Sequence, residues 1–373
     1  MENIFKLSII VPIYNGEKHI ARTIHNILNS SYKNLELLLI DDGSTDNSLS
    51  LCQKMAESDS RIKVYHKKNG GIADARNYGI SLATGDYIGF CDQDDEVSRN
   101  MYQKMLSRIT ADESQAALCG CYRQKRNGGR VVFEKYTDAI FDCRFITEKL
   151  FLPLLFKGFS AYDNEAICIY GTIWNCIISK QLIDNYKMQF RSFVSYEDDL
   201  IMLLQLLSHA GRISTLSDIL YYWNTNPNSE IHNSTKRYLS DLEARQHRLT
   251  SYEVTLLTDH GLSQDTIEAF TYVQQCRNAL LQLDNLAASD NRKNIQEIKN
   301  LRNCDSISYI QSAPTAIPPQ KGFVRNTIII WLLRKKHVIL AYFLNRCINA
   351  IRFFVEKYQI TEKLERRMKG HVQ

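Results

Sequence analysis

The chain has 373 residues, enough for two domains. Its 44% hydrophobic and 23% charged residues mark a globular protein and exclude a disordered or fibrous one. No run approaches the roughly 18 uninterrupted apolar residues of a membrane-spanning helix, and residues 1–6 lack the basic start and apolar stretch of a signal peptide, so a cytoplasmic protein is expected. The net charge of +5 is uneven: from Lys321 onward 12 Lys/Arg face 3 Asp/Glu, a net +9, and the first 320 residues carry the opposing −4.

Residues 7–13 (LSIIVPI) form a short apolar, β-branched run, the pattern of a buried parallel strand. Asn15 is placed to cap a helix in which Ile20, Ile24, Ile27 and Leu28 recur at helical spacing. A second strand at 35–40 (LELLLI) runs into Asp41-Asp42-Gly43-Ser44-Thr45-Asp46, and a helix over 47–56 leads to a third strand at 62–66. Asn69-Gly70-Gly71 opens a helix carrying Ala75-Arg76-Asn77. A fourth strand at 87–91 meets Asp92-Gln93-Asp94-Asp95. Four strand–helix alternations with short links predict a doubly wound α/β sheet, whose ligands bind beyond the carboxyl ends of its strands. The polar clusters at Tyr14-Asn15, Asp41-Asp42 and Asp92 to Asp95 sit at those ends and are expected to share one crevice. A dinucleotide-binding fold needs G-x-G-x-x-G after the first strand, where this chain has Tyr14-Asn15-Gly16-Glu17; no G-x-x-x-x-G-K-[ST] occurs either. Carboxylates facing an anionic diphosphate require a divalent cation between them, and Asp-x-Asp at a strand end is a compact way to hold one. Taken alone, the triplet reads equally well as a turn closing the strand.

Beyond residue 115 the pattern loosens. Residues 116–122 read as a strand, Asn127-Gly128-Gly129 as a turn into residues 131–133, residues 146–156 as helix and residues 161–165 as a polar loop. An apolar stretch to Leu182 follows Trp174-Asn175, and a helix over 200–210 follows Ser195-Tyr196-Glu197-Asp198-Asp199. Residues 236–260, 264–288 and 291–303 carry helical patterns, and residues 312–319 read as a linker. Residues 323–358 are amphipathic and basic. They suit an interfacial helix on an anionic membrane, or a helical hairpin packed on the catalytic domain or on a second subunit, which would make a homo-oligomer. Bulky apolar residues among the Lys and Arg argue against nucleic acid. The ten scattered cysteines hold no zinc-site spacing and are expected to be free, mostly buried thiols.

SIIVPIYN at 8–15, DDGSTD at 41–46, NGG…ARN at 69–77 and DQDD at 92–95, in that order, resemble the inverting family-2 glycosyltransferases, closest to the bacterial enzymes that build capsules, teichoic acids and other surface glycans. The resemblance spans residues 5–225. It implies a GT-A fold: an α/β, doubly wound, mostly parallel sheet over 1–235, with halves at 1–115 for the nucleotide-sugar and 116–235 for the acceptor. A helical region (236–311), a linker (312–322) and a basic tail (323–373) follow. It also implies transfer from a nucleotide-sugar, usually a UDP-sugar, to a growing surface polysaccharide or lipid-linked glycan at the inner membrane face. Pro12, Tyr14 and Asn15 would lie beside the base, Asp42 would bond it, and Arg76 would stand near base and diphosphate. Asp92, with Gln93, would face ribose and sugar, and Asp94 would ligate Mn2+ or Mg2+. Trp174 and Asn175 would border the acceptor, and in Glu197-Asp198 the aspartate would be the general base that takes the acceptor's proton. The family often has lysine where Cys176 stands and arginine where Asn224 stands, which puts those two contacts in doubt. Ser229 and His232 lie in the following loop; His232 reads as a surface residue, with an additional metal or phosphate contact as the alternative. Two other readings are a nucleotidyltransferase, which would need a glycine-rich basic loop this chain lacks, and a carbohydrate-binding protein without catalysis, which the set Asp92, Asp94 and Asp198 argues against.

Overall fold

The computed structural model describes residues 5–125, 128–156, 167, 169–192, 198–224, 242–288, 304–313 and 324–357. The expected loop at 161–165, Glu197, Ser229 and His232, the helix at 291–303 and most of the linker lie outside them. The chain divides into two compact units, Met1–Leu155 with Asn164–Ser234, and Phe156–Asp163 with Thr235–Gln373.

The first unit is built on one mixed sheet. Strands β1 (Leu7–Ile13) and β2 (Leu35–Asp41) are buried at every position, as their unbroken apolar runs require of strands covered on both faces. β1 pairs in parallel with β2 and with β4 (Tyr87–Phe90), and β2 with β3 (Ile62–His66). Helices α1 (Ile20–Leu28), α2 (Ser48–Ala56) and α3 (Ile72–Leu82) connect them. Helix α3 comes close to the sheet because Gly79 has no side chain; a Cβ there would lie 2.5 Å from Ile10 Cγ2. The chain runs outward from β1 to β2 and β3, then returns to place β4 on the other side of β1. That reversal opens a crevice at the carboxyl ends of β1 and β4, where doubly wound sheets bind ligands.

Beyond β4 the order continues through β9 (Cys176–Ser179), β6 (Ala116–Gln124), β10 (Arg212–Trp223) and β5 (Glu96–Val97). β9 is antiparallel to both neighbours, while β6 and β10 are parallel. β7 (Arg130–Glu134) adds to β6, and β8 (Ala139–Asp142) to β10. The apolar stretch to Leu182 is thus strand β9 followed by α7 (Lys180–Tyr186). α4 (Met101–Asp112) packs on β6 and β10. The helix expected at 146–156 begins earlier, as α5 (Cys143–Ile146), and passes through a π-turn into α6 (Leu152–Leu155). α8 (Asp198–His209) starts on the aspartate pair itself, whose charges complement its dipole.

Asn15 does not cap α1. It sits in the left-handed region at φ 51°, its Oδ1 accepts from Thr45 N–H at 2.8 Å, and His19 occupies the cap position. Among the described residues the cysteines are free, with only Cys143 and Cys347 exposed.

In the second unit, α9 (Leu242–Asp259), α10 (Gln264–Ala288) and α11 (Asp305–Ser312) precede the basic tail. The tail is a hairpin of α12 (Val324–Arg334) and α13 (Val338–Lys357). Lys336 turns the chain at φ 64°, with Lys336 N–H donating to Leu333 O and His337 N–H to Leu332 O, a Schellman closure. The hairpin is tied to α10 by Arg325 and Asn345, which both donate to Asp284. Among the described residues no helix is long and apolar enough to cross a membrane.

One polar knot stands in the sheet of the first unit. Glu36 on β2 is buried and accepts from Ser8 Oγ (2.6 Å), Thr84 N–H (2.7 Å), Lys63 Nζ (2.6 Å) and Lys6 Nζ (3.0 Å). Burial alone would raise its pKa; the bonds from Lys63, Ser8, Thr84 and Lys6 outweigh it and hold the carboxyl well below the usual range. A depressed pKa contributes stability that is present above the unfolded value of about 4.3 and is lost as pH falls toward the folded one. Glu36→Gln is expected to cost about 2 kcal/mol in urea unfolding near neutral pH. It should also make stability less sensitive to acid below the unfolded pKa; an unchanged acid limb would contradict this.

Candidate active site

The crevice between β1 and β4 is organised by one side chain. Arg76, on α3, is 2% exposed. Its Nη2 donates to Asp92 Oδ1 at 2.9 Å, and its Nη1 donates to Asp198 Oδ2 at 2.7 Å and to Asp199 Oδ1. Burial works against the guanidinium's charge, but Asp199, Asp92 and Asp198 outweigh it and raise its pKa. The Phe190 ring lies 5.1 Å from the guanidinium, and the neighbouring Asn77 clasps the Phe190 backbone with two hydrogen bonds of 2.9 and 2.8 Å. Arg76 and Asn77, adjacent in sequence, thus bind the carboxylates and the segment beside them.

The loop after β4 is clamped from two sides. From α1, Arg22 Nη2 donates to Asp94 O at 2.9 Å, and Thr23 Oγ1 donates to Gln93 O and Asp95 O at 2.9 and 3.0 Å. From β10, Tyr221 OH donates to Asp95 Oδ2 at 2.8 Å and accepts from Asp92 N–H at 3.2 Å. Beyond it, Asn224 N–H donates to Asp95 Oδ1 at 2.8 Å and its Nδ2 to Asp94 O at 3.0 Å. Asp95 is buried, and burial, then the charges of Asp92 and Asp94, push its carboxyl well above the ordinary range. Asp92 is also pushed up by burial, against the pull of Arg76. Asp199 is raised by burial and by Asp198 and Asp92, drawn down by Arg76, and ends at about 7.

The remaining sequence candidates are placed as follows. Gln93 is fastened to the main chain of Tyr14: Tyr14 N–H donates to Oε1 at 3.0 Å, and Nε2 donates to Tyr14 O at 3.1 Å. Gly16 leaves room for this clasp: a Cβ there would lie 2.3 Å from Gln93 Oε1 and displace the amide. Pro12 is buried within β1, while the Tyr14 ring is exposed at the crevice. Asp42 is buried, and both oxygens are engaged by the 67–71 loop: Oδ1 accepts from Gly70 N–H (2.9 Å) and Lys67 Nζ (2.7 Å), and Oδ2 from Gly71 N–H (2.8 Å). Trp174 is buried and stacks on Tyr221 at 4.2 Å. Asn175 lies beneath the surface, donating to Cys119 O at 2.8 Å and to the buried Glu134 at 2.6 Å. The structure therefore brings Arg76, Asp92 and Asp198 together and puts Asn175 behind the site. Glu197 lies outside the described residues.

Sequence reasoning missed Asp199 as a partner of Arg76, and Tyr221 and Asn224 as clamps of the acidic loop. The aromatic run Tyr221-Tyr222-Trp223 at the end of β10 was the available signal; the pairing of Asn224 with Asp95 spans 129 residues and has no local signature.

Asp92, Asp198 and Asp199 share the Arg76 guanidinium, and Asp94 and Asp95 stand beside them in the loop after β4, so the site is rich in negative charge. Carboxylate oxygens are hard donors that suit Mg2+ or Mn2+. Among the described residues no three His, Cys, Asp or Glu side chains are already grouped to hold a metal. The residues fit a cation bound by one or two carboxylates and completed by oxygens of a ligand, the usual arrangement for Mg2+ with phosphates.

Residues 8–170 match the family model described as Glycosyl transferase family 2. EpsJ of Bacillus subtilis, a glycosyltransferase by name, is 28% identical over 353 residues, covering 94% of this chain and 96% of that protein. Glycosyltransferase GlyG of Streptococcus pneumoniae is 38% identical over 128 residues, 34% of this chain and 42% of that protein. Among solved structures, residues 1–349 of S. aureus TarS, crystallised with UDP-GlcNAc, share the fold at a TM-score of 0.66, with 18% identity and 92% coverage of each chain.

Proposed function

We propose that this glycosyltransferase of GT-A fold, whose residues 8–170 match the family-2 model, moves a sugar, with inversion, from a UDP-sugar to a growing surface polysaccharide or lipid-linked glycan. The observation that carries this reading is the shared guanidinium. Arg76 joins Asp92 at the end of β4 to Asp198 at the start of α8, so a donor-side carboxylate and a candidate base stand within one side chain of each other. In the proposed step the acceptor hydroxyl loses its proton to Asp198 as its oxygen bonds the anomeric carbon. The bond from that carbon to the diphosphate oxygen breaks on the opposite face, and the nucleoside diphosphate leaves. Asp94 would hold Mn2+ or Mg2+, which offsets the leaving group's charge. The exposed Tyr14 ring offers a face to the base, while Asp42 serves it by fixing the glycine loop at 70–71. TarS, which shares the fold, was solved with UDP-GlcNAc, and this makes UDP-sugars the first donors to test.

Asp198→Asn is expected to keep manganese-dependent donor binding in calorimetry while transfer of labelled sugar to the cells' glycan falls by about 10²-fold or more. Asp94→Ala should weaken the same donor binding about tenfold. Turnover within a few-fold of wild type in Asp198→Asn would remove it as the base.

The tail hairpin supports a second element of the reading, peripheral contact with an anionic membrane where lipid-linked acceptors reside. On its outer face Ile328, Trp331, Ile339, Leu340 and Phe343 are exposed, Trp331 by 55%, and Lys335 and Lys336 stand at the turn between them. Apolar side chains rimmed by lysines suit the headgroup–acyl boundary. The protein should float with anionic vesicles and release on Trp331→Glu; failure to bind any anionic vesicle would end this part of the proposal.

A further inference from the structure

A band of aromatic side chains leads away from the acidic loop along one face of β6, β7 and β10. It begins at Tyr221, buried and bonded to Asp95. Trp174 stacks on Tyr221 with centroids 4.2 Å apart, and Trp223 lies 6.3 Å from Trp174. Phe133 meets Trp223 edge-on at 5.1 Å, and Tyr170 stacks on Phe133 at 4.2 Å. Exposure rises along the band: Tyr221 and Trp174 are buried, Trp223 and Phe133 are half-buried, and Tyr170 is 47% exposed. A core cluster would be buried throughout. Rings that emerge progressively from a reaction centre instead form a track.

Arg123 closes the outer end. Its guanidinium lies 5.6 Å from the Trp223 ring and 5.4 Å from the Phe133 ring, held by their π faces. The side chain is exposed and has no carboxylate partner among the described residues. A guanidinium held by rings rather than by an acid keeps its in-plane N–H groups for a ligand, and that planar fork matches a carboxylate or phosphate. The opposite face of the same strands carries a different set. Tyr122 stacks on Tyr222 at 6.1 Å with Arg130 4.5 Å above Tyr222, and there Arg130 approaches Glu96 at 4.0 Å.

We propose that the band from Trp223 through Phe133 and Tyr170 is the acceptor track and that its occupant is an acidic glycan, whose oxyanion Arg123 clamps beyond the sugar that reacts. The inference rests on the reading of the carboxylate site as the place of sugar transfer, and it deepens that reading by naming the acceptor's chemical class. Sugar C–H groups lie on the exposed Tyr170 ring and against the half-buried Phe133 and Trp223, and the oxyanion fixes how far along the track the chain is drawn. The oxyanion is either a uronic acid carboxylate or a phosphodiester.

The test titrates the full chain, in the presence of UDP and Mn2+, with three probes: hyaluronan tetrasaccharide, a glycerol-phosphate oligomer and neutral chitotetraose. At least one acidic probe is expected to bind about tenfold more tightly than chitotetraose, the usual value of a charge-assisted hydrogen bond. Binding of the hyaluronan probe would assign a carboxylate, and binding of the other acidic probe a phosphodiester. Arg123→Gln should remove that preference while leaving chitotetraose binding unchanged, and Tyr170→Ala should weaken every probe. Arg130→Gln, on the other face, should change none of them. Equal binding of all three probes, no binding of any, or an unaltered preference in Arg123→Gln would overturn the proposal. UDP-sugar binding measured on the same samples separates the two readings: its absence strikes the donor site alone, whereas its presence without an acidic preference strikes the acceptor track alone.

Discussion

The first unit depends on one buried guanidinium shared by three carboxylates. Arg76 reaches from α3 to Asp92 behind β4 and to Asp198 and Asp199 on α8, elements separated by up to 123 residues. Removing one member of a buried ionic cluster costs more than the cluster contributes, because the charges left behind have no partner and no water. The same bonds fix where the crevice ends: the first half's carboxylate and the second half's helix cannot drift apart while both are held by one side chain. The proposed chemistry and the architecture therefore draw on the same residue.

Around Arg76 the acidic loop is over-determined. Its carbonyls are held by Arg22, Thr23 and Asn224, its amide at Asp92 by Tyr221, and its glutamine by the main chain of Tyr14. Five aspartates gathered around two arginines, Arg76 and Arg22, leave a region of negative potential with fixed geometry. In the proposed reaction that potential draws a divalent cation with its nucleotide, and the rigid loop means little reorganisation is needed as the sugar leaves. Asn224, standing where arginine is frequent in the family, is a neutral clamp here. Among the described residues the cation bonded to the carboxylates of this cluster is Arg76.

The parallel half of the fold was legible because its strands are buried on both faces: LSIIVPI and LELLLI can hardly be anything else, and β1, β2 and β3 lie within a residue of their expected bounds. The candidate site could be read as a list of aspartates at strand ends, but the wiring among them could not. Asn15 has the chemistry of a helix cap, yet the tight exit from β1 places it in the left-handed region, where its side chain holds Thr45 instead. Asp42 looks free to meet a base, yet its oxygens are engaged by backbone amides 28 and 29 residues away. β9 was hidden because a four-residue apolar strand and the start of a helix share one hydrophobic pattern. For the basic tail the sequence offered a hairpin as one of two readings, but not its turn, because Lys336, which takes the left-handed conformation there, is no glycine.

Urea unfolding of three proteins tests the central role of Arg76 most directly: wild type, Arg76→Met, and Arg76→Met combined with Asp198→Asn and Asp199→Asn. Arg76→Met is expected to lose about 3 kcal/mol or more, because it strands buried carboxylates, and neutralising two of them should restore much of the loss. Arg76→Met as stable as wild type, or a triple variant no more stable than the single one, would show that the guanidinium does not hold the site together.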